Sequence, residues 1–130
     1  MNRRDAREVA FKLTYEMVVT GEYNKETADE LLSSADRDSR GFVNGIVNGV
    51  KEHYDAIKTA IADNAHGYEY DRIYKTDLAV LIVACYEIMF TDTPPAVVAN
   101  EAVEIAKTYS DQQSFSFVNG ILASVIRSKK

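Results

Sequence analysis

The pentapeptide Phe42-Val43-Asn44-Gly45-Ile46 occurs a second time in the chain, as Phe117-Val118-Asn119-Gly120-Ile121. The match extends outward to three further pairs, which are Asp36 with Asp111, Ser39 with Ser114, and Val50 with Val125. A shared pattern of this length in a chain of 130 residues indicates two structurally related halves that pack into one body.

Both copies of the pentapeptide lie in apolar patterns of helical period. Asn-Gly pairs are strong signals for a β-hairpin, but the flanking apolar residues recur every three to four residues rather than at every second residue. The first copy belongs to one long apolar stripe, which predicts a single third helix that begins at Asp36 or Ser39. That stripe consists of Phe42, Val43, Ile46, Val50, Tyr54, Ile57 and Ile61.

The small and polar residues of the repeat are expected to have structural roles. We expect Asn44 and Asn119 to be buried and to make the same hydrogen bond twice, because buried polar groups require partners. A functional use of these two side chains is the alternative. Gly41, Gly45 and Gly49 lie four residues apart on one helix face, which predicts the close approach of a neighbouring helix.

The remaining segments predict five further helices and one boundary. The stretch from Thr76 to Phe90 is apolar almost all round, apart from Glu87, and such a helix belongs at the centre of a bundle. The other four are a first helix over about Arg4–Val19 that stops at Gly21, a short second helix capped by Asn24, a fifth that starts at Pro94–Pro95, and a sixth over about Ser114–Ile126. Residues 64–74 break the pattern and separate the halves.

Composition favours a helical protein of a reducing compartment. Apolar residues make up 46% of the chain, with two prolines and six glycines. Cys85 is the single cysteine, so no disulfide framework or cysteine metal site is expected. The N-terminus has no apolar secretory segment, and the longest apolar run, Leu78 to Tyr86, is too short to cross a bilayer. We therefore expect a cytoplasmic location without membrane contact.

The net charge of −5 conceals basic clusters at both ends of the chain. Arginine near a helix N-terminus opposes the helix dipole, so helix stability does not explain Arg3, Arg4 and Arg7. Arg4 and Arg7 share one face, and Tyr15 lies two turns further on, where it can stack on a base. These residues predict RNA or DNA contact; a solvated helix start is the alternative. The C-terminal cluster is Arg127, Lys129 and Lys130.

Enzymatic chemistry has little support in the sequence. His53 and His66 are the only histidines and do not form a metal-ligand pattern. No glycine-rich phosphate loop occurs. We therefore predict no catalytic residue, no cofactor and no metal. Glu101 and Glu104 share one helix face, where they are either solvated or offer a docking surface to a basic protein.

Four segments together resemble the NusB transcription antitermination factor family, in an order and spacing that cover nearly the whole chain. The most specific pair is the run from Asn100 to Lys107 together with Phe117–Leu122. The other segments are Ala6-Arg7-Glu8 with Ala10, Leu13 and Tyr15, and Asp77–Leu81 running to Ala84–Ile88. The resemblance implies an all-α fold, in which residues 1–130 form one domain of two packed three-helix subdomains, about 1–63 and about 75–130, joined by a linker of about 64–74.

The resemblance also implies a non-enzymatic function in rRNA transcription. Proteins of this family bind the single-stranded boxA element of the transcript together with a small ribosomal protein, NusE, within the antitermination complex of RNA polymerase. If the RNA-contacting positions of the family apply to this chain, the residues facing RNA are Arg3, Arg4, Arg7, Tyr15, Lys75, Gln113 and Phe117. Phe117 is then expected beside the N-terminal arginines. Asp77 is expected where RNA and protein partner meet, and the outer face of the later helices, with Glu101 and Glu104, is expected to dock NusE.

Two other hypotheses remain open on the sequence. The chain also resembles the NusB-like N-terminal domain of rRNA cytosine methyltransferases, although 130 residues leave no room for a catalytic domain. A helical protein-binding module without RNA binding is the second. In the first hypothesis, replacing Arg4 and Arg7 with alanine is expected to weaken RNA binding without unfolding the protein.

Overall fold

The computed structural model describes residues 1–129 and confirms an all-α fold over that range; Lys130, part of the predicted basic end, lies outside the described residues. The seven α-helices of that range are α1 (Arg3–Thr20), α2 (Lys25–Leu31), α3 (Arg37–Glu52), α4 (Tyr54–Asn64), α5 (Lys75–Phe90), α6 (Pro95–Tyr109) and α7 (Gln112–Ser128), with one 3-10 turn at Tyr70–Arg72. Within residues 1–129, none of the helices has the length and apolar character needed to span a membrane.

Helix α5 forms the centre of the bundle, as its sequence predicts. It packs against α1, α3, α4, α6 and α7. Every residue from Asp77 to Cys85 is buried, so all sides of the helix are covered by neighbouring helices. The predicted linker holds the 3-10 turn and leads directly into α5. The division of the chain into two subdomains stays a prediction.

The repeat encodes the same helix start twice. Asp36 caps α3 by accepting a hydrogen bond from the backbone N–H of Ser39 at 2.8 Å, and Asp111 caps α7 in the same way from Ser114 at 2.9 Å. Such caps satisfy a backbone N–H that has no partner within the helix. The valines and isoleucines of both copies then enter the core; they are Val43, Ile46 and Val50 in α3, and Val118, Ile121 and Val125 in α7.

The prediction that Asn44 and Asn119 are buried is wrong. Both side chains are exposed. Each asparagine follows a fully buried valine and precedes a buried isoleucine by two positions, so it lies on the outer arc of its helix. Phe42 and Phe117 are half-buried rather than core residues. The shared spacing of the two copies therefore reflects the caps and the apolar face.

The predicted third helix is interrupted at His53. Helix α3 ends at Glu52 and α4 begins at Tyr54, so the described residues contain seven α-helices instead of the six expected. The His53 ring stacks on Phe90 with centroids 3.9 Å apart, which places the break against the end of α5. Apolar spacing continues across the break, from Val50 to Ile57, and therefore does not reveal it.

One of the three glycines on α3 permits a close helix contact. A Cβ atom at Gly49 would overlap the ring of Tyr86 on α5. The same atom at Gly41 or Gly45 would meet nothing within 4 Å. The prediction of close approach is confirmed for Gly49 and is wrong for the other two, because only Gly49 faces the core.

This difference predicts opposite effects for two alanine substitutions one helical turn apart. Gly49→Ala should lower the free energy of unfolding by about 1–3 kcal/mol, because the Tyr86 ring must move in a packed core. Gly45→Ala should raise it by about 0.5–1 kcal/mol, since alanine is the better helix former. Urea denaturation of the two variants and the parent protein measures both. Equal effects would contradict the packing at Gly49.

Candidate nucleic-acid interface

The arginines at the start of α1 have three different environments. The Arg3 guanidinium lies 4.3 Å from the ring centroid of Phe42 and 3.2 Å from the Asp38 carboxylate, with about half of the side chain exposed. Arg4 is more exposed, and its Nε lies 2.9 Å from Glu101 on α6. Arg3 is thus near the first copy of the repeat, not beside Phe117 as expected.

Arg7 is buried and does not reach the surface as the RNA-contact prediction requires. Its Nε donates to Oε2 of Glu87 at 2.8 Å and its Nη2 donates to Oε1 at 3.0 Å. The two residues are 6% and 2% exposed. Position 7 falls between the buried Ala6 and Val9 on the inward side of α1, so this arginine connects α1 to α5.

Sequence reasoning missed the partner of Arg7, although a signal was present. Glu87 is an acidic residue in the last turns of α5, directly after the apolar run, and buried carboxylates require a cation or several hydrogen bonds. A basic residue on a neighbouring helix was therefore to be expected. Arg7 fills that requirement and is a structural residue in this fold.

The Arg4–Glu101 pair joins a predicted RNA contact to a predicted partner contact. Arg4 keeps most of its side chain accessible, whereas Glu101 is only 20% exposed. Exposed ion pairs contribute little to folding stability because water competes for both charges. Glu104, one turn further along α6, is more open and lies 3.6 Å from Lys107. Arg4 therefore lies where the arginine start of α1, formed by Arg3 and Arg4, meets the acidic face of α6.

A cleft of about 300 Å³ brings together three other predicted site residues, Asp77, Gln113 and Phe117. We call it the linker cleft, because its remaining walls include Tyr68, Arg72 and Tyr74 from the linker. The Phe117 ring meets the Tyr68 ring edge to face, with centroids 4.7 Å apart. Accessible aromatic rings beside a guanidinium suit stacked bases and a phosphate backbone.

The linker residues of this cleft were missed by sequence reasoning, which treated the segment as a boundary. Tyr68 is 61% exposed and Tyr74 is 75% exposed, so both rings are accessible to a ligand. The available signal was the density of aromatic and basic residues between the helices; these are Tyr68, Tyr70, Arg72, Tyr74 and Lys75.

Asp77 lies at the bottom of the linker cleft and is only 2% exposed. The hydroxyl of Ser110 donates to its Oδ1 at 3.0 Å. Burial raises the pKa of this carboxyl, while hydrogen bonds from Ser110 and Ser114 partly oppose the rise. A buried carboxylate is therefore held at the junction of α5, α6 and α7, below the surface where an RNA or protein contact was expected.

The raised pKa of Asp77 predicts a pH-dependent effect of Asp77→Asn. A carboxyl whose pKa is raised by folding stabilises the protein below its unfolded pKa and loses that contribution as pH rises through the folded pKa. Asparagine keeps an acceptor for Ser110 without the charge. The melting temperature of Asp77→Asn relative to the parent should thus be higher at pH 7 than at pH 4.

The exposed Asp92→Asn variant is the control for this experiment, since it removes one negative charge from the turn before α6. Its difference from the parent is subtracted at each pH. If Asp77→Asn is equally or more stabilising at pH 4, the desolvated state of Asp77 is contradicted.

The other two predicted RNA contacts lie elsewhere. Tyr15 is 39% exposed on α1, with its ring centroid 6.4 Å from that of the buried Phe11. Lys75 is exposed at the first position of α5 and lines a separate pocket with Lys51 and Lys58. The predicted residues thus spread over α1, the linker cleft and the beginning of α5.

The sequence of this chain is similar to one protein family over almost its whole length. The family model described as the NusB family matches residues 4–127. Transcription antitermination protein NusB of Finegoldia magna is 41% identical over 133 residues, covering 100% of this chain and 97% of the relative. The protein of the same name from Clostridium novyi is 39% identical over 132 residues, covering 98% and 99%.

Two solved structures show the same arrangement of helices. T. maritima NusB superposes with a TM-score of 0.90 at 29% identity, covering 98% of this chain and 92% of that chain. A complex of the antitermination factors NusB and NusE with double-stranded RNA contains a chain with a TM-score of 0.87 at 24% identity, a likeness that shows the fold, covering 97% and 96%. Since the matches extend over almost the full sequence, this chain belongs to the NusB family.

Proposed function

We propose that this protein is a non-enzymatic transcription antitermination factor that binds boxA-type RNA together with the ribosomal protein NusE in the cytoplasm. The observation that carries the proposal is the linker cleft, which Phe117, Tyr68 and Tyr74 line together with Arg72, an exposed arginine whose Nε lies 3.6 Å from Glu69. Family membership over residues 4–127 supports the same function. So do the names of the relatives and the solved complex of NusB and NusE with RNA.

RNA contact is assigned to side chains of α1, of the start of α5 and of the linker cleft. Arg3 and Arg4 hold phosphates at the start of α1, and Lys75 does so at the start of α5. Phe117 stacks on a base in the linker cleft, with Gln113 at its edge to bond base or sugar. Tyr15 adds an accessible ring on α1. A single strand is the expected form, because its unstacked bases can reach aromatic rings.

Protein contact is assigned to the acidic face of α6. Glu104 is exposed, and Glu101 on α6 is paired with Arg4 on α1. A basic ribosomal protein fits this charge. Binding of NusE to Glu101 would release the Arg4 guanidinium for phosphate, which couples the two binding events. Asp77 lies beneath the RNA and protein surfaces. Its carboxylate accepts a hydrogen bond from Ser110, which lies in the connection between α6 and α7, and so holds that connection in place.

The proposal is tested by size-exclusion chromatography of the protein with NusE and a boxA RNA. A ternary complex should elute earlier than any pair, and a scrambled RNA should give less of it. Failure to bind RNA at low salt, with or without NusE, would contradict an RNA-binding function. The same profile reports the oligomeric state of the free protein.

A protein-binding module without RNA contact is the second candidate, because each N-terminal arginine has a carboxylate partner. Arg3 pairs with Asp38, Arg4 with Glu101 and Arg7 with Glu87. This candidate predicts a stable complex with a basic protein whose affinity does not change when RNA is added. The same elution experiment with and without RNA separates the two functions.

A further inference from the structure

A second concave site lies between the ends of α1 and α3 and the starts of α4 and α5. It encloses about 540 Å³, within the size range of small-ligand sites. We call it the basic pocket, because Lys51, Lys58 and Lys75 line it. Its floor is apolar and includes Leu78 and Ile82 from α5.

Two of the three lysines of the basic pocket lie over aromatic rings. The Nζ atom of Lys51 lies 3.9 Å from the ring centroid of Tyr23, and that of Lys58 lies 5.1 Å from the ring centroid of Tyr70. Lys12, Lys25 and Lys107 instead have carboxylates within 4.0 Å. Within residues 1–129, no carboxylate comes that close to the three pocket lysines, so their charge is available to an anion.

The walls combine aromatic and polar groups. The hydroxyls of Tyr54 and Tyr70 lie 3.0 Å apart, and burial together with this contact raises the pKa of Tyr70. Tyr70 therefore stays neutral and adds no negative charge that would oppose an anion. The one carboxylate in the lining is Asp71, which can accept a hydrogen bond from an N–H donor.

A buried hydroxyl in the lining has no partner in the described part of the chain. Thr14 is 1% exposed, and its Oγ1 makes no hydrogen bond there. Buried polar groups without partners are rare and costly. Because Oγ1 of Thr14 is itself inaccessible, a ligand in the pocket would meet the rest of this side chain, and the lysines and tyrosines supply the accessible polar contacts.

We propose that the basic pocket binds a nucleotide, with the phosphate among the lysine ammonium groups and the base against Tyr54 and Tyr70. A heteroaromatic ring with polar edges suits tyrosine, carboxylate and hydroxyl walls better than a hydrocarbon chain does. The nucleotide is either free in solution or one unit of a bound RNA strand. Of the residues that line the pocket, only Lys75 belongs to the proposed RNA surface, so the pocket can be tested separately.

The first test is titration with adenosine monophosphate, followed by the amide chemical shifts of the protein. Shifts should concentrate at the ends of α1 and α3 and the start of α4. Lys51→Gln/Lys58→Gln should weaken the affinity about tenfold or more, since two charge-assisted contacts are lost. The matched control, Lys25→Gln/Lys107→Gln, removes the same charge from ion-paired lysines outside the pocket and should bind as the parent does. Melting curves verify that both double variants are folded.

The second test distinguishes the two sources of the nucleotide by repeating the comparison with the boxA RNA. A loss of affinity for adenosine monophosphate alone identifies a free nucleotide as the ligand. A loss of RNA affinity in the pocket variant beyond that in the control identifies a nucleotide of the strand. If the pocket and control variants behave alike in both titrations, the proposed site is overturned, while RNA binding through the linker cleft would still be measurable in the parent.

Discussion

Replacing Arg7 with alanine should lower the free energy of unfolding by about 3–5 kcal/mol, because it leaves the buried carboxylate of Glu87 without its cation. Both hydrogen bonds of the pair, at 2.8 and 3.0 Å, join α1 to the central helix. An effect of this size is a large part of the stability of a small domain. Chemical denaturation measures it directly.

Two variants control the Arg7 experiment. Arg7→Met/Glu87→Leu removes both charges and keeps apolar volume, so most of the lost stability should return. Arg4→Ala breaks the exposed pair with Glu101 and should have little effect on folding. If Arg7→Ala is as stable as Arg4→Ala, the buried pair is not as the structure describes it.

The burial of Arg7 changes how RNA binding has to be tested. A variant that replaces both Arg4 and Arg7 with alanine was expected to remain folded, and the buried pair with Glu87 contradicts that expectation. Loss of RNA binding in such a variant would report unfolding. Substitutions at Arg3 and Arg4 avoid this difficulty because both side chains are about half exposed or more.

Phe117→Ala should weaken RNA binding by about 1–3 kcal/mol, or roughly 5- to 150-fold, if its ring stacks on a base. The ring is half-buried against Tyr68 in the linker cleft, so one face of the site is lost with it. Fluorescence anisotropy with a labelled boxA RNA, in the presence of NusE, measures the change in affinity.

Phe115→Ala is the matched control for Phe117. Phe115 is also half-buried near the start of α7, but its ring lies under Lys107 rather than in the linker cleft. The control should lose some stability and keep its RNA affinity. Equal losses of affinity in the two variants would show that the effect comes from loosening α7, not from stacking.

Most of the helices were predictable because their signals are local. Asn24 and Asp36 cap the helices that follow them, and Gly21 ends α1 with a φ of +83° that few residues other than glycine adopt. Helix α5 is apolar on almost all of its sides, and this pattern predicts its central position in the bundle. The break at His53 was not predictable, because a one-residue interruption leaves the apolar spacing on both sides nearly in phase.

The candidate site was predictable only in part, because side chains on one helix face can have opposite environments. Arg4 and Arg7 are three residues apart, yet Arg4 is exposed and Arg7 is buried at the edge of the core. Which of them is covered depends on the position of α5, a long-range contact that no local pattern records. Tyr68 and Tyr74 became visible as site residues only when the linker was placed against Phe117.

The central claim is that this protein binds RNA, with phosphates held by Arg3 and Arg4 at the start of α1, and the salt dependence of RNA affinity tests it most directly. For single strands, the slope of log affinity against log salt is about −0.7 for each phosphate neutralised. Arg3→Gln/Arg4→Gln should therefore reduce the magnitude of the slope by about 1.4, whereas Lys25→Gln/Arg127→Gln should leave it unchanged. An unchanged slope in the arginine variant would contradict the account.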